Sequence, residues 1–154
     1  PAPDLKQKIA ICNYLINTAR ALGIDKPKVA VIAATEQVTA SMPACVDAAI
    51  ISKMGDRGQI KGAYIDGPLA VDVAIDKEAA EIKKVSGPVA ADADCLLFPN
   101  IEAGNVFYKT IGKFTNAQLA AIVAGAKAPC VLSSRGDSTE TKLNSIALAA
   151  LMAK

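Results

Sequence analysis

Four short segments hold most of the chemistry this sequence could perform. Thr35-Glu36, Asp66-Gly67-Pro68, the run from Pro99 to Asn105, and Ser133 through Ser138 each follow an apolar run, and each is polar or glycine-rich. Ser134-Arg135 sets a hydroxyl and a guanidinium between an apolar run and an expected helix start. The free N–H groups and positive dipole end of such a helix suit a phosphate or a developing oxyanion. The arginine fork adds a match to phosphate oxygens. An ordinary helix entry accounts for the same residues, and spacing alone leaves the two readings level. Asp66-Gly67-Pro68 is also a tight-turn signal, and Asn100 to Asn105 can open a helix with Asn and Gly as caps. Asp137 and Glu140 form a D-x-x-E pattern close to a capping box. The adhesion-type triplet Arg135-Gly136-Asp137 reads as coincidence in a chain of cytosolic character.

The elements that must position these groups alternate between two kinds. Asp4 caps a helix reaching about Leu22, with Leu5, Ile9, Cys12, Ile16 and Ala19 at spacings of three and four and Gly23 as the stop. Lys28 to Ala34 is apolar without alternation, as a strand covered on both faces should be. A helix is expected from Pro43 to about Met54, and a buried strand ending at Ile65-Asp66. Then come a helix from Glu78 to Val85, a strand at Cys95–Phe98, a helix from Gly104 to Lys113 and strands at 121–124 and 131–133. A last helix carries Leu143, Ile146, Ala147, Ala150 and Leu151 on one face. The alternation implies an α/β fold, a mostly parallel sheet between helix layers. In such sheets ligands sit beyond the carboxyl ends of the strands.

Composition removes several classes of function. The chain has 154 residues, 52% hydrophobic and 21% charged, with a net charge of +2 and no basic run interleaved with aromatics, so nucleic acid is not an expected partner. Its longest apolar runs fall well short of the roughly 18 residues of a membrane span, and no leader of the secretory type opens it. A soluble, cytoplasmic protein is expected. Cys12, Cys45, Cys95 and Cys130 form no C-x-x-C pair and read as reduced, mostly buried thiols. With no histidine, the usual zinc sets lose their nitrogen ligand and a histidine-dependent nucleophile loses its base.

Several segments together resemble the phosphate acetyl/butyryltransferases. They are Met42-Pro43-Ala44, Arg57 through Gly62, Asp66 through Asp72, Asp92-Ala93-Asp94, Pro99 through Asn105 with Tyr108-Lys109 following, Gly125-Ala126-Lys127, and Ser134-Arg135 with Lys142 to Leu148 behind it. The match runs over nearly the whole chain. The wording Arg57-Gly58-Gln59-Ile60-Lys61-Gly62 and Ile101-Glu102-Ala103-Gly104-Asn105 looks like the butyryl branch more than the acetyl branch. The resemblance implies a three-layer α/β/α architecture like that of the isocitrate and isopropylmalate dehydrogenases, with two lobes, a cleft between them and a homodimer. It implies that residues 1–127 are the second lobe and that 128–154 return to a first lobe lying outside this chain, which would be the carboxyl-terminal half of the enzyme.

The implied reaction is acyl-CoA plus phosphate giving acyl phosphate plus CoA, with coenzyme A as substrate and no tightly bound cofactor or metal. By resemblance Ser134 donates a hydrogen bond to the transition state and Arg135 holds phosphate. Lys113 stands where the acetyl branch has a substrate-binding arginine, and supplies charge without the bidentate geometry. Thr141 stands where that branch has a general-base aspartate. Glu140 and Asp137 are the nearby carboxylates, with Asp137 favoured as a cap and Glu140 left as candidate base or cap. Asp66, Gly67, Glu102, Gly104 and Asn105 are placed at the cleft rim, as substrate contacts or as shapers of the strand-end turns. A metal-dependent hydroxyacid dehydrogenase using Asp66, Asp92 and Asp94 is one rival reading, and a non-catalytic CoA- or partner-binding lobe is the other.

Overall fold

The chain is described by a computed structural model covering residues 2–153, which divides into two units, up to Ile101 and from Glu102 onward. The 127/128 boundary implied by the resemblance falls inside the second unit.

Asp4 starts the first helix as expected. Its carboxylate accepts the Gln7 N–H at 2.8 Å while the Gln7 side chain accepts the Asp4 N–H at 2.9 Å, a reciprocal capping box. Helix α1 (Leu5–Ala21) ends at Leu22, and Gly23 follows at φ +96°, a left-handed conformation that favours glycine. Strand β1 (Lys28–Ile32), helix α2 (Pro43–Asp56, with Pro at its first position) and strand β2 (Tyr64–Leu69) come next. Two short helices, α3 (Val71–Ile75) and α4 (Lys77–Ile82), lead to strand β3 (Cys95–Leu97). The sheet order is β2-β1-β3, all parallel. The unit is thus an α/β fold on a small parallel sheet.

Successive residues of β1 feed two separate cores, as the two-residue period of a strand requires. Val29 and Val31 join Cys12, Ile16, Ala48 and Ile51 from α1 and α2. Ala30 and Ile32 join Leu69, Val73, Ala74 and Val89. Cys12 and Cys95 lie in the first core, and burial pushes both thiols up to about 11, so they act there as small apolar groups. Lys8 on α1 reaches Asp47 on α2 at 2.6 Å, a mostly buried ion pair joining the two helices.

Three expectations are corrected. The second strand does not stop at Asp66: β2 runs on to Leu69, and Asp66-Gly67-Pro68 lies within it. The register slips between Ala30 and Ile32, so β2 spends an extra residue there. Such an irregularity on an edge strand is where a sheet tolerates proline. Gly67 is needed because a Cβ would stand 2.8 Å from both the Val31 carbonyl oxygen and its Cβ. Neither 121–124 nor 131–133 forms a strand; only Val123 and Cys130 meet, in one antiparallel bridge. Short apolar runs do not declare their structure by periodicity, and without a neighbouring ladder their backbone groups cannot be satisfied as strand. The fourth thiol also departs from a buried reading, since Cys130 is exposed whereas the other three are buried.

The second unit contains helix α5 (Ile101–Phe114), an irregular crossing, and helix α6 (Thr139–Met152). Among the described residues its only buried ones are Thr141 and Ser145, both on α6. The stripe of Leu143, Ile146, Ala147, Ala150 and Leu151 is exposed throughout. Polar bonds stand in for an apolar core. The Ser145 hydroxyl donates to the Thr141 carbonyl at 2.6 Å and accepts the Ala121 N–H at 3.0 Å, tying the crossing to the helix.

Candidate functional site

The polar groups of the second unit gather where α5 faces the crossing. Asn105, Tyr108, Lys109, Gly112 and Lys113 recur on α5 at offsets of three, four, seven and eight, so the helical period puts them on one face. Two cavities adjoin that face, with Tyr108, Lys109 and Asp137 in the wall of both. One, of about 510 Å³, is also lined by Asn105, Ser133, Ser134 and Arg135. The other, of about 350 Å³, is lined by Gly112, Lys113, Glu140 and Thr141 as well. Gly112 leaves room for the packing here, since a Cβ would meet the Leu119 side chain at 2.6 Å.

Ser134 is held by a closed turn. The Asp137 carboxylate accepts the Ser134 N–H at 2.7 Å, and the Asp137 N–H donates to the Ser134 carbonyl at 3.1 Å. Asp137 is therefore not the cap of α6. Ser138 is, its hydroxyl accepting the Thr141 N–H at 3.1 Å. The side chain of Asp137 is 9% exposed and sits 3.9 Å from the Lys109 ammonium. Its tether to the Ser134 N–H commits this carboxylate to the turn. Glu140, in the first turn of α6, is exposed, and its carboxylate has no hydrogen bond or ion pair among the described residues. Arg135 and Lys113 are likewise exposed, each available to an anion. Thr141 is buried within the cap, its hydroxyl accepting from Ser138 at 3.1 Å.

The residues expected at the site thus divide. Ser134, Arg135 and Asn105 share one cavity, and Lys113 and Glu140 share the adjoining one. Glu102 and Gly104 lie in the first turns of α5 and line neither. Asp66 and Gly67 belong to the first unit, where the Asp66 carboxylate accepts the N–H of Gly67 at 2.8 Å. The aspartates a dehydrogenase would need are committed elsewhere: Asp94 accepts the Lys28 N–H at 2.8 Å and Asp92 pairs with the Lys28 ammonium. Among the described residues no group of three or more His, Cys, Asp or Glu could hold a metal, and no helix is long and apolar enough to cross a membrane. Sequence reasoning gave no role to Tyr108, Lys109 or the tether of Asp137. The first two were legible from the helical spacing with Asn105; the third was not.

The cavities thus bring Lys109, Lys113 and Arg135 together with the residues Ser134, Asp137 and Glu140, a set of cations, hydroxyl and carboxylates on the second unit of an α/β protein. The chain belongs to the phosphate acetyl/butaryl transferase family, whose pattern it matches over residues 1–150. It is 56% identical over 151 residues to a phosphate butyryltransferase of Clostridium acetobutylicum, covering 98% of this chain and 50% of that protein. It is 46% identical over 152 residues to a phosphate acetyltransferase of Thermotoga maritima, covering 99% of this chain and 52% of the relative. The chain spans about half the length of the curated relatives it matches. Among solved structures, a branched-chain phosphotransacylase from Enterococcus faecalis V583 superposes with a TM-score of 0.88 at 35% identity, over 99% of this chain and 56% of that one.

Proposed function

We propose that this chain is part of a cytoplasmic phosphate acyltransferase that exchanges phosphate and coenzyme A on a short acyl group, butyryl-CoA plus phosphate giving butyryl phosphate plus CoA. The observation that carries the reading is the grouping of Ser134, Arg135, Asn105 and Lys109 around one cavity in a member of this family. In the direction of acyl-CoA synthesis a base removes the CoA thiol proton, the thiolate adds to the acyl phosphate carbonyl, and the bond to phosphate breaks. The Ser134 hydroxyl donates to the developing oxyanion, while Arg135, Lys109 and Lys113 hold the phosphoryl charge. Glu140 is the general base in this scheme, being the exposed carboxylate beside Lys113, whereas Asp137 is committed to the Ser134 turn. CoA enters and leaves as substrate, with no tightly bound cofactor or metal taking part.

The proposal extends to architecture. Residues 1–127 form the second lobe of a three-layer, isocitrate/isopropylmalate dehydrogenase-like enzyme, and 128–154 return to a first lobe supplied by the rest of the protein, the whole acting as a homodimer. The outward apolar stripe of α6 supports a covering partner for that helix. Asp66, Gly67, Glu102 and Gly104 enter as substrate contacts through the family resemblance alone.

The test is phosphate-dependent release of the CoA thiol from butyryl-CoA by the full-length protein, with acetyl-CoA and a phosphate-free blank alongside. Release that requires phosphate is expected, faster with butyryl-CoA. Thiol release equal with and without phosphate would make the protein a hydrolase, and no release from the folded full-length protein would end the transferase reading.

A further inference from the structure

Ser134 and Arg135 lie on an exposed turn. Ser134, Arg135 and Gly136 are all open to solvent, and a Cβ at Gly136 would meet no atom within 4 Å. A hydroxyl and a guanidinium on an unrestrained turn would sample many directions, whereas transition-state contacts need placement to within about 0.5 Å. One residue supplies the restraint. Asp137 bonds both backbone groups of Ser134: its carboxylate accepts the Ser134 N–H at 2.7 Å, and its own N–H donates to the Ser134 carbonyl at 3.1 Å. Arg135 and Gly136 are then the two central residues of a closed four-residue turn. The Ser134 hydroxyl has no hydrogen bond among the described residues. The same carboxylate also reaches α5. Its other oxygen, the one not holding Ser134, stands 3.9 Å from the Lys109 ammonium, and the side chain is only 9% exposed. A neutral side chain could close this turn without the desolvation that a nearly buried carboxylate costs. What the charge adds is a stronger, geometrically firmer bond.

We propose that Asp137 is a positioning residue of the acyl transfer: by holding the Ser134 backbone at both ends and facing Lys109, it aims the Ser134 hydroxyl and the Arg135 guanidinium at the reacting group. This rests on the transferase reading and adds to it a residue that touches neither substrate and acts through its neighbours. With the N–H and the carbonyl of Ser134 both engaged, its backbone torsions are set, and with them the direction of its Cα–Cβ bond. Arg135, the second residue of the turn, leaves it at a set angle too. The link to Lys109 ties the turn to α5, so the donor on the turn and the cation on the helix keep a constant separation. Donors placed in advance need no reorganisation when charge develops.

The experiment compares Asp137→Ala with Asp137→Asn in the full-length protein. Both remove the charge, and only Asn keeps an oxygen that can accept the Ser134 N–H, so the difference between them reads the tether. The kcat of Asp137→Asn should stay within about fivefold of the unaltered protein. That of Asp137→Ala should fall about a hundredfold, with the KM for butyryl-CoA within about threefold in both. Inorganic phosphate, titrated calorimetrically, should bind about tenfold more weakly to Asp137→Ala than to Asp137→Asn, because Arg135 shares the turn. In a Ser134→Ala background most of the hundredfold loss from Asp137→Ala should disappear, leaving about tenfold or less. Equal kcat in the Ala and Asn variants would overturn the proposal, whether both stay active or both fail. So would losses that multiply fully in the double variant. A thermal midpoint more than about 5 °C lower in Asp137→Ala than in Asp137→Asn would also overturn it, being the mark of a purely structural bond. If the unaltered protein does not turn over butyryl-CoA, the transferase reading fails, and the phosphate comparison alone then decides the role of Asp137.

Discussion

The two units of this chain are held together by different physics. In the first, every strand residue from Val29 to Ile32 is buried, and two apolar cores receive side chains from four helices. In the second, the buried residues among those described are a threonine and a serine, and several large apolar side chains lie outside: Phe114 is 85% exposed, Leu143 65% and Ile146 59%. The first unit has the ingredients of an independent fold, since apolar burial is the dominant favourable term. The second keeps its shape by directed hydrogen bonds at the Ser134 turn and the Ser145 bridge. Directed bonds fix geometry well and add little net stability. That division suits a candidate site, which needs placed polar groups.

Substitutions can break the comparison. The largest effect is expected for Ile51→Ala, which empties a fully buried position in the first core and should cost about 3 kcal/mol by denaturant unfolding. A cost under about 1 kcal/mol would mean that core is loosely packed. Next comes Ser145→Ala in the second unit, which leaves the Ala121 N–H without its acceptor and should cost about 2 kcal/mol. Hydrogen exchange at Ala121 should accelerate with it; exchange at the unaltered rate would show that the bridge carries no load. The smallest effect is expected for Ile146→Ala in this chain, within about 0.5 kcal/mol of neutral. The same change in the full-length protein should cost about 2 kcal/mol if that stripe is covered there, and an equal, small effect in both would remove the case for a covering lobe.

How far the sequence foretold this follows the same division. Helix α1 was legible because Asp4, Gln7 and Gly23 are local signals with local consequences, and β1 because an unbroken apolar run has one economical use. The extension of β2 through Gly67-Pro68 was hidden, since a glycine-proline pair normally ends a strand and only the slip against Ala30 and Ile32 accommodates it. The runs at 121–124 and 131–133 look like strands in isolation, and whether they pair depends on neighbours their own residues do not name. At the site, the grouping of Ser134 and Arg135 was readable, and so was the α5 stripe through its period. The cap of α6 was misplaced by one residue. Asp137 and Ser138 are both good caps, and the choice was settled by the Ser134 N–H, which engages the aspartate first.

The α5 stripe also sets how this region can change in evolution. Because Asn105, Tyr108, Lys109, Gly112 and Lys113 ride on one continuous helix, they share a single rotational phase. An inserted or deleted residue within the first turn would swing all five by about 100°, carrying them away from Ser134 and Glu140 in one step while leaving each side chain intact. Length changes there are accordingly forbidden even where individual residue changes are tolerated. The irregular crossing between Thr115 and Leu119 has no such phase to preserve, and additions to the chain should accumulate in it instead.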